Sequence, residues 1–469
     1  MVNNFLWRKN MKNLREEDKI IERVKRIHMI GIGGSGMCPL AEILHSQGYI
    51  LSGSDNNESD PLKRVRALGA TVYMGHAAEN LGDCELVVYS AAISQENPEL
   101  CEARRRGIPT MERSHLLGAL TRRFDNVIGV CGTHGKTTVT SMITQILYLN
   151  NLDPTAVIGG RLPLLGTNGR SGKSEHMVCE SCEFVDTFLQ LSPDVSVLLN
   201  IDDDHLDYFK TMDNLVLSFH KFISMSHTAY INGDDALAMR AAEGIDAKVI
   251  TFGLKNTNDF YADNITTGAF GYEFDAYKNG EKLGRVHMRI PGEHNVYNGL
   301  AAFAVAYDLG VAPADIDSAL SKFTGAGRRF EFLYEADGVT LVDDYAHHPT
   351  EIEATLKAAK SLDYSRVIAI FQPFTFSRTA LLKDEFIRAL SHADKVLLTP
   401  IMGSREVNTY GIKSEDIAAG LADCTVLETF PDIANHVAKI KQPGDLLITM
   451  GGGDIYKAAY LIREDMQKS

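Results

Sequence analysis

The chain lacks any run of apolar residues long enough for a membrane-spanning helix, so a helical membrane protein is excluded. It has no long basic stretch either. Its densest one, Arg104, Arg105 and Arg106, reads as a solvated helix face, and a formal net charge of −14 disfavours a nucleic-acid partner. The first 25 residues are charged and polar, with no apolar signal core. They are expected to form a frayed N-terminal extension (1–25), and the chain is expected to be cytoplasmic. The seven cysteines, Cys38, Cys84, Cys101, Cys131, Cys179, Cys182 and Cys424, are odd in number and scattered, so they make no disulfide framework. Cys179 and Cys182 have C-x-x-C spacing, but no second pair completes a zinc site, and structural thiols are expected. Internal repeats and low-complexity segments are also missing.

The composition is that of a globular protein, with 45% apolar and 23% charged residues. A length of 469 residues suggests two to four domains. Strand-like runs alternate with helical stretches in three blocks, which predicts an α/β fold with three domains. The boundaries are expected at 26–124, 125–323 and 324–469. RIHMIGI, YILSGSD, ATVYMG and ELVVYSAA are strand candidates of the first block. NVIGV, HMVCE, VSVLLNI and KVITFG belong to the second, with hairpins expected near 259–290. VTLVDDY, RVIAIFQ, KVLLTPI, CTVLET and DLLITMG belong to the third.

The most informative stretch is NVIGVCGTHGKTT, residues 126–138. An apolar strand runs into a turn containing Gly132, Thr133, His134 and Gly135, and then into a helix that opens on Lys136, Thr137 and Thr138. Backbone N–H groups and the helix dipole at such a terminus favour an anion. Lys136 reaches the β- and γ-phosphates of a nucleotide, and the Thr137 hydroxyl suits Mg²⁺. The general pattern has a glycine where Val130 stands, so this is the shorter GTHGKT form. Gly172-Lys173-Ser174 lies in polar loop and is read as a decoy.

In the first block, Gly31, Gly33 and Gly36 fit G-x-G-x-x-G after a strand, and Asp55 ends the next strand. That is a Rossmann arrangement for a nucleotide, either NAD or a UDP-sugar. Glu180 closes one strand of the second block, and Asp202, Asp203, Asp204, His205 and Asp207 follow another. Strand C-terminal ends are where open parallel sheets hold ligands, so a carboxylate and an imidazole there suit Mg²⁺ beside Thr137. Asn295 lies at the start of an Ala-rich helix, as a helix cap or a purine contact. Arg328, Arg329, Asp343, Asp344, His347, His348 and Arg378 fall after strands or at the opening of the third block, and suit a polyanionic substrate.

Taken in order, GTHGKTT, Glu180, NIDDDHLD, GEHNVYNGLAA, GAGRRFE, DDYAHHPTEI, SRT and MGGGDI make the chain resemble the ATP-dependent Mur ligases from about residue 27 to 460. The resemblance implies a Rossmann-like UDP-binding domain, a central P-loop ATPase-type domain and a C-terminal Rossmann-like domain. It makes Gly31, Gly33, Gly36 and Asp55 contacts to a UDP-sugar. ATP would sit on residues 132–138, with Asn295 at adenine and Arg328 and Asp343 as third-domain contacts. Thr137, Glu180 and His205 become Mg²⁺ ligands, while His347 and Arg378 contact the acyl phosphate or the amino acid. GIGGSGM, SGSD and DDYAHHPTEI resemble the members that join L-alanine to UDP-N-acetylmuramate, acting as monomer or homodimer in peptidoglycan precursor synthesis. A relative that attaches a recycled peptide to the same sugar nucleotide is the alternative within the family. An NAD-dependent oxidoreductase and a non-catalytic nucleotide-binding module are the alternatives outside it. SCEFVD stands where many relatives have an ADESD-like string, and Phe374 where many have histidine.

Overall fold

The computed structural model describes residues 15–267, 271–404 and 406–468. They form two compact units. The first takes the described residues up to Asn264 with Phe274–Val286 and Tyr297–Ser321. The second takes the described residues of Ile265–Glu273, His287–Val296 and everything described from Lys322 onward.

Three sheets carry the fold. The first joins β1 (Arg26–Ile30), β2 (Ile50–Asp55), β3 (Thr71–Met74), β4 (Leu86–Tyr89) and β5 (Thr110–Glu112) in the order β3-β2-β1-β4-β5, all parallel. The second contains β6 (Asn126–Cys131), β7 (Thr155–Leu162), β8 (Thr167–Arg170), β9 (His176–Glu180), β10 (Val195–Leu198), β11 (Thr228–Asn232), β12 (Lys248–Gly253), β13 (Phe260–Thr267), β14 (Tyr272–Lys278) and β15 (Glu281–His287). Its order is β15-β14-β13-β12-β11-β10-β6-β9-β7-β8. The third lies wholly in the second unit: β16 (Glu331–Ala336), β17 (Val339–Asp344), β18 (Arg366–Phe371), β19 (Lys395–Leu398), β20 (Cys424–Val426) and β21 (Asp445–Met450), ordered β16-β17-β21-β18-β19-β20. Only β16 runs antiparallel to its neighbour in that sheet.

Central strands such as β6, β17 and β21 are buried nearly end to end, as expected where helices cover both faces of a parallel sheet. Around the third sheet, helices Pro349–Lys360 and Lys383–Leu390 pack on one face, and Phe430–Ile440 and Tyr456–Lys468 on the other. In the first unit one apolar core runs through residues of both sheets. The expected extension, 1–25, falls partly outside the described residues. From Glu16 to Arg23 it is a helix rather than a frayed end, because Ile21 is fully buried and Asp18 pairs with Arg122 at 2.9 Å. Among the described residues, no helix is long and apolar enough to cross a membrane.

Candidate active site

The glycine loop starts where β6 ends. Gly132 takes φ +137° and Gly135 φ +85°, values that side-chain-bearing residues rarely adopt. At Gly135 a Cβ would stand 2.6 Å from Asn298 Oδ1, so close approach also requires glycine there. Asn200, after β10, fixes the loop. Its carbonyl accepts from Thr133 N–H at 3.0 Å, its Oδ1 accepts from His134 N–H at 2.8 Å, and its Nδ2 donates to the His134 carbonyl at 3.1 Å. Thr133 Oγ1 accepts from Asp202 N–H at 2.9 Å, and the His134 ring meets Asp202 at 3.0 Å. The helix Lys136–Leu149 then begins, and its first-turn amides have no intrahelical acceptor, which leaves them to serve an anion.

Lys136 Nζ donates to the Gly132 carbonyl at 2.6 Å and the Thr133 carbonyl at 3.0 Å, and lies 3.0 Å from both oxygens of Glu183. Burial works against the lysine charge, but the Glu183 carboxylate outweighs it and holds the ammonium above the usual lysine range. Lys136 therefore stays cationic at neutral pH. Thr137 is buried one residue further on.

Of the expected metal ligands, Glu180 ends a strand, Thr137 lies in the first turn of the helix after β6, and His205 precedes the short helix after β10. Glu180, ending β9, accepts from Gly159 N–H at 2.8 Å. A side chain at 159 would collide with that carboxylate. His205 has φ +56°, with its ring 3.5 Å from Asp204 and 4.8 Å from the Phe184 ring centroid. Among the described residues, no three His, Cys, Asp or Glu side chains cluster as a ready metal site. The hydroxyl of Thr137 and the carboxylate of Glu180 are hard oxygen donors of the kind Mg²⁺ prefers. Mg²⁺ usually takes one or two carboxylates and completes its shell with phosphate and water.

In the first sheet, Gly33 N–H donates to Asp55 Oδ2 at 3.0 Å, which ties the glycine turn to the acid ending β2. Gly31 has φ +77°, and Gly36 lies under the Arg113 side chain, where a Cβ would meet Arg113 Cδ at 3.1 Å. The helix after this turn begins only at Cys38. The decoy loop is tied to its neighbours: Gly172 N–H donates to Thr155 and Lys173 N–H to Asp153.

The second unit joins Arg328 and Asp343 at 2.8 Å. Arg328 also donates to the carbonyls of Gly451 at 2.7 Å and Gly453 at 2.8 Å. Thr449 Oγ1 donates to Asp343 at 2.6 Å. Burial still pushes the Asp343 carboxyl up, against the pull of Arg328 and Thr449. His347 lies beside Gly452, where a Cβ would stand 3.1 Å from its ring, and edge-on to Phe374 with centroids 6.1 Å apart. Arg378 is half-buried in the short helix Phe376–Leu381 after β18. Asn295 is buried and its Nδ2 donates to the Pro291 carbonyl at 2.6 Å, closing the turn that enters its helix.

Asp344, next to Asp343, accepts from Phe330 N–H at 2.6 Å and Ala346 N–H at 2.7 Å. Burial pushes its carboxyl up from 3.8 to about 6, although Arg329 and the two amides pull it down. The folded state thus holds this proton more tightly than the unfolded state does. Its contribution falls as pH rises from about 4 to about 6, then levels off, a loss of about 3 kcal/mol. Thermal melts across that window should show a steeper decline for the native protein than for Asp344→Asn. Equal slopes would reject the assignment.

Family models match three consecutive stretches: residues 26–125 as the Mur ligase family catalytic domain, 130–306 as the Mur ligase middle domain, and 328–453 as the Mur ligase glutamate ligase domain. The chain belongs to the Mur ligase family. This Mur ligase is 45% identical over 447 residues to the UDP-N-acetylmuramate–L-alanine ligase of Caldicellulosiruptor saccharolyticus, covering 94% of this chain and 98% of the relative. It is 43% identical to the enzyme of the same name from Clostridium novyi, covering 94% and 97%. Among solved structures, the UDP-N-acetylmuramate–alanine ligase of Thermotoga maritima matches with a TM-score of 0.82 at 27% identity, over 94% of this chain and 99% of that one.

Sequence reasoning missed two residues that the Mur ligase fold brings to the loop. Glu183 lies in the SCEFVD segment, where many relatives have an ADESD-like string, and it is the buried partner of Lys136. Its spacing from Glu180 on a strand exit was the available signal. Asn200 precedes the acidic run that drew attention, yet it binds the loop backbone. A third omission lies beside the first sheet. Fully buried Glu99 accepts from Ser54 Oγ and Asn80 Nδ2, each at 2.6 Å, and meets His28 at 3.4 Å.

Proposed function

We propose that this Mur ligase joins L-alanine to the lactyl carboxylate of UDP-N-acetylmuramate while ATP becomes ADP and phosphate. The names of the relatives at 40–45% identity support the substrates. The observation that carries the chemistry is the half-buried ammonium of Lys136 on a glycine loop that opens a helix N-terminus.

A carboxylate is a poor acceptor for an amine, because its leaving group would be oxide. Its oxygen therefore attacks the γ-phosphorus, ADP departs, and an acyl phosphate forms. The alanine nitrogen attacks the acyl carbon, phosphate leaves, and the surplus proton is released to water. Phosphoryl transfer asks mainly for positioning and charge neutralisation. Lys136 and the first-turn amides supply both at the γ-phosphate. A Mg²⁺ held by Thr137, Glu180 and His205 would neutralise charge on the phosphates. Gly31, Gly33, Gly36 and Asp55 hold the UDP part, Asn295 the adenine, Arg328 and Asp343 the third-domain side of ATP, and His347 and Arg378 the acyl phosphate or amino acid. The domains correspond to 26–124, 125–323 and 324–469, in a cytoplasmic monomer or homodimer.

Phosphate release with ATP, Mg²⁺ and UDP-N-acetylmuramate tests the reading when L-alanine, glycine, L-serine and a tripeptide are supplied one at a time. L-Alanine should give the highest kcat/KM, with little release when the amino acid is omitted. Faster release with the tripeptide would reject L-alanine as the substrate.

A further inference from the structure

We propose that a cleft over the C-terminal ends of β18 and β19 receives the amino group of the incoming amino acid, with Gln372 Oε1 as its hydrogen-bond acceptor. The inference rests on the ligase reading above and adds to it the group that recognises the amine.

The cleft has a volume of about 470 Å³ and is lined by Gln372, Thr399, Met402, Glu428, Phe430 and Asp454, among others. Its position follows from the topology. β18 and β21 are neighbours, yet helix Lys383–Leu390, between β18 and β19, packs on one face of the sheet and the helix after β21 on the other. Loops that part in this way open a crevice at the strand ends, where open α/β sheets bind ligands.

Gln372 is 6% exposed, and its Oε1 has no hydrogen-bond partner. The amide cannot simply be turned over. Its Nε2 donates to Asp454 Oδ1 at 3.2 Å, and exchanging the two ends would set oxygen against a carboxylate. A buried acceptor without a donor is destabilising, and the deficit disappears if a ligand brings the donor. Gly453 packs directly against that oxygen. This glycine has no left-handed φ, so its role there is room rather than conformation. A Cβ at 453 would stand 2.5 Å from Gln372 Oε1 and would also strike Met402.

The lining favours a cation. Glu428 and Asp454 contribute carboxylates, and among the described residues no lysine or arginine lines the cleft, although exposed Lys457 pairs with Asp454 Oδ2 at 3.0 Å. An ammonium offers donors only, which matches an acceptor-only oxygen. Of the substrates in the proposed reaction, the amino acid alone has an ammonium; the exocyclic amine of adenine is the rival donor. The same glycine turn has His347 against Gly452, so an amine at Gln372 lies along the turn that also borders the expected acyl-phosphate contact.

Steady-state kinetics of the full chain test this. Gln372→Met keeps the side-chain length and removes the acceptor. It should raise KM for L-alanine about 10-fold or more, with KM for ATP and for UDP-N-acetylmuramate within twofold of native. Gly453→Ala would push the Gln372 amide aside instead and should shift the same constant. On the native protein, alaninamide and ethylamine should compete with L-alanine, and propionate should not. An unchanged KM for L-alanine in folded Gln372→Met, a rise in KM for ATP instead, or competition by propionate but not by the amines would each overturn the proposal. Native protein that releases no phosphate with L-alanine would instead remove the ligase reading itself, before any variant is made.

Discussion

Lys136→Ala is expected to lower ATP-dependent phosphate release by roughly 10³-fold or more, the scale on which a cation at a transferring phosphoryl acts. The geometry gives the reason. Nζ stands on the glycine loop, and the buried carboxylate of Glu183 holds it protonated. The same replacement leaves the Glu183 carboxylate, 1% exposed, without its cation. Part of any loss would then come from stability rather than chemistry, because an uncompensated buried charge is strongly destabilising. The two contributions separate in Lys136→Ala/Glu183→Gln. That double variant should recover most of the melting temperature lost by the single one, while turnover stays low. Recovery of turnover alongside stability would show that Lys136 holds the loop together and does not act on phosphate. Near-native release by Lys136→Ala alone would reject its role altogether.

Much of this arrangement was legible because parallel strands buried on both faces are continuous apolar runs. NVIGV, VSVLLNI and DLLITMG announce β6, β10 and β21, and the turns after them carry the chemistry. Other elements gave no such signal. TNGR is a strand, β8, only because β7 pairs with it antiparallel, and neither its residues nor their alternation says so. The Ser-Cys-Glu of the SCEFVD string looked like a weakened acidic motif. Its glutamate matters through a contact with a lysine 47 positions earlier, which local pattern cannot report. Gln372 was equally silent. An amide after a strand is ordinary; its missing partner becomes visible only when β21 inserts beside β18 and brings Gly453 and Asp454 to it. Glycine and capping chemistry are local and can be read from sequence. Pairings between strand ends depend on sheet order and cannot.

Arg328→Ala should destabilise the second unit by about 3–5 kcal/mol, the range for removing one partner of a buried ion pair. Asp343 is 2% exposed and would be left with only Thr449 as a donor. The carbonyls of Gly451 and Gly453 would lose the guanidinium as well, and the Tyr345 and Tyr456 rings would lose the cation 5.0 Å from their centroids. Lysine is no substitute, since one ammonium cannot serve a carboxylate and two separate carbonyls in the plane of a guanidinium. Arg328→Lys should therefore remain well below native stability. The sign of the pH effect gives an internal check. Burial already pushes the Asp343 carboxyl up, and without Arg328 it rises further, so the folded variant takes up a proton that its unfolded chain does not. Acidification toward pH 5 should narrow the gap between Arg328→Ala and native protein, and Asp343→Asn in the same background should narrow it at neutral pH. Urea midpoints followed by circular dichroism would measure both. A loss under about 1 kcal/mol, or a gap that widens on acidification, would mean that Arg328 is not what keeps Asp343 charged beneath the 451–453 turn.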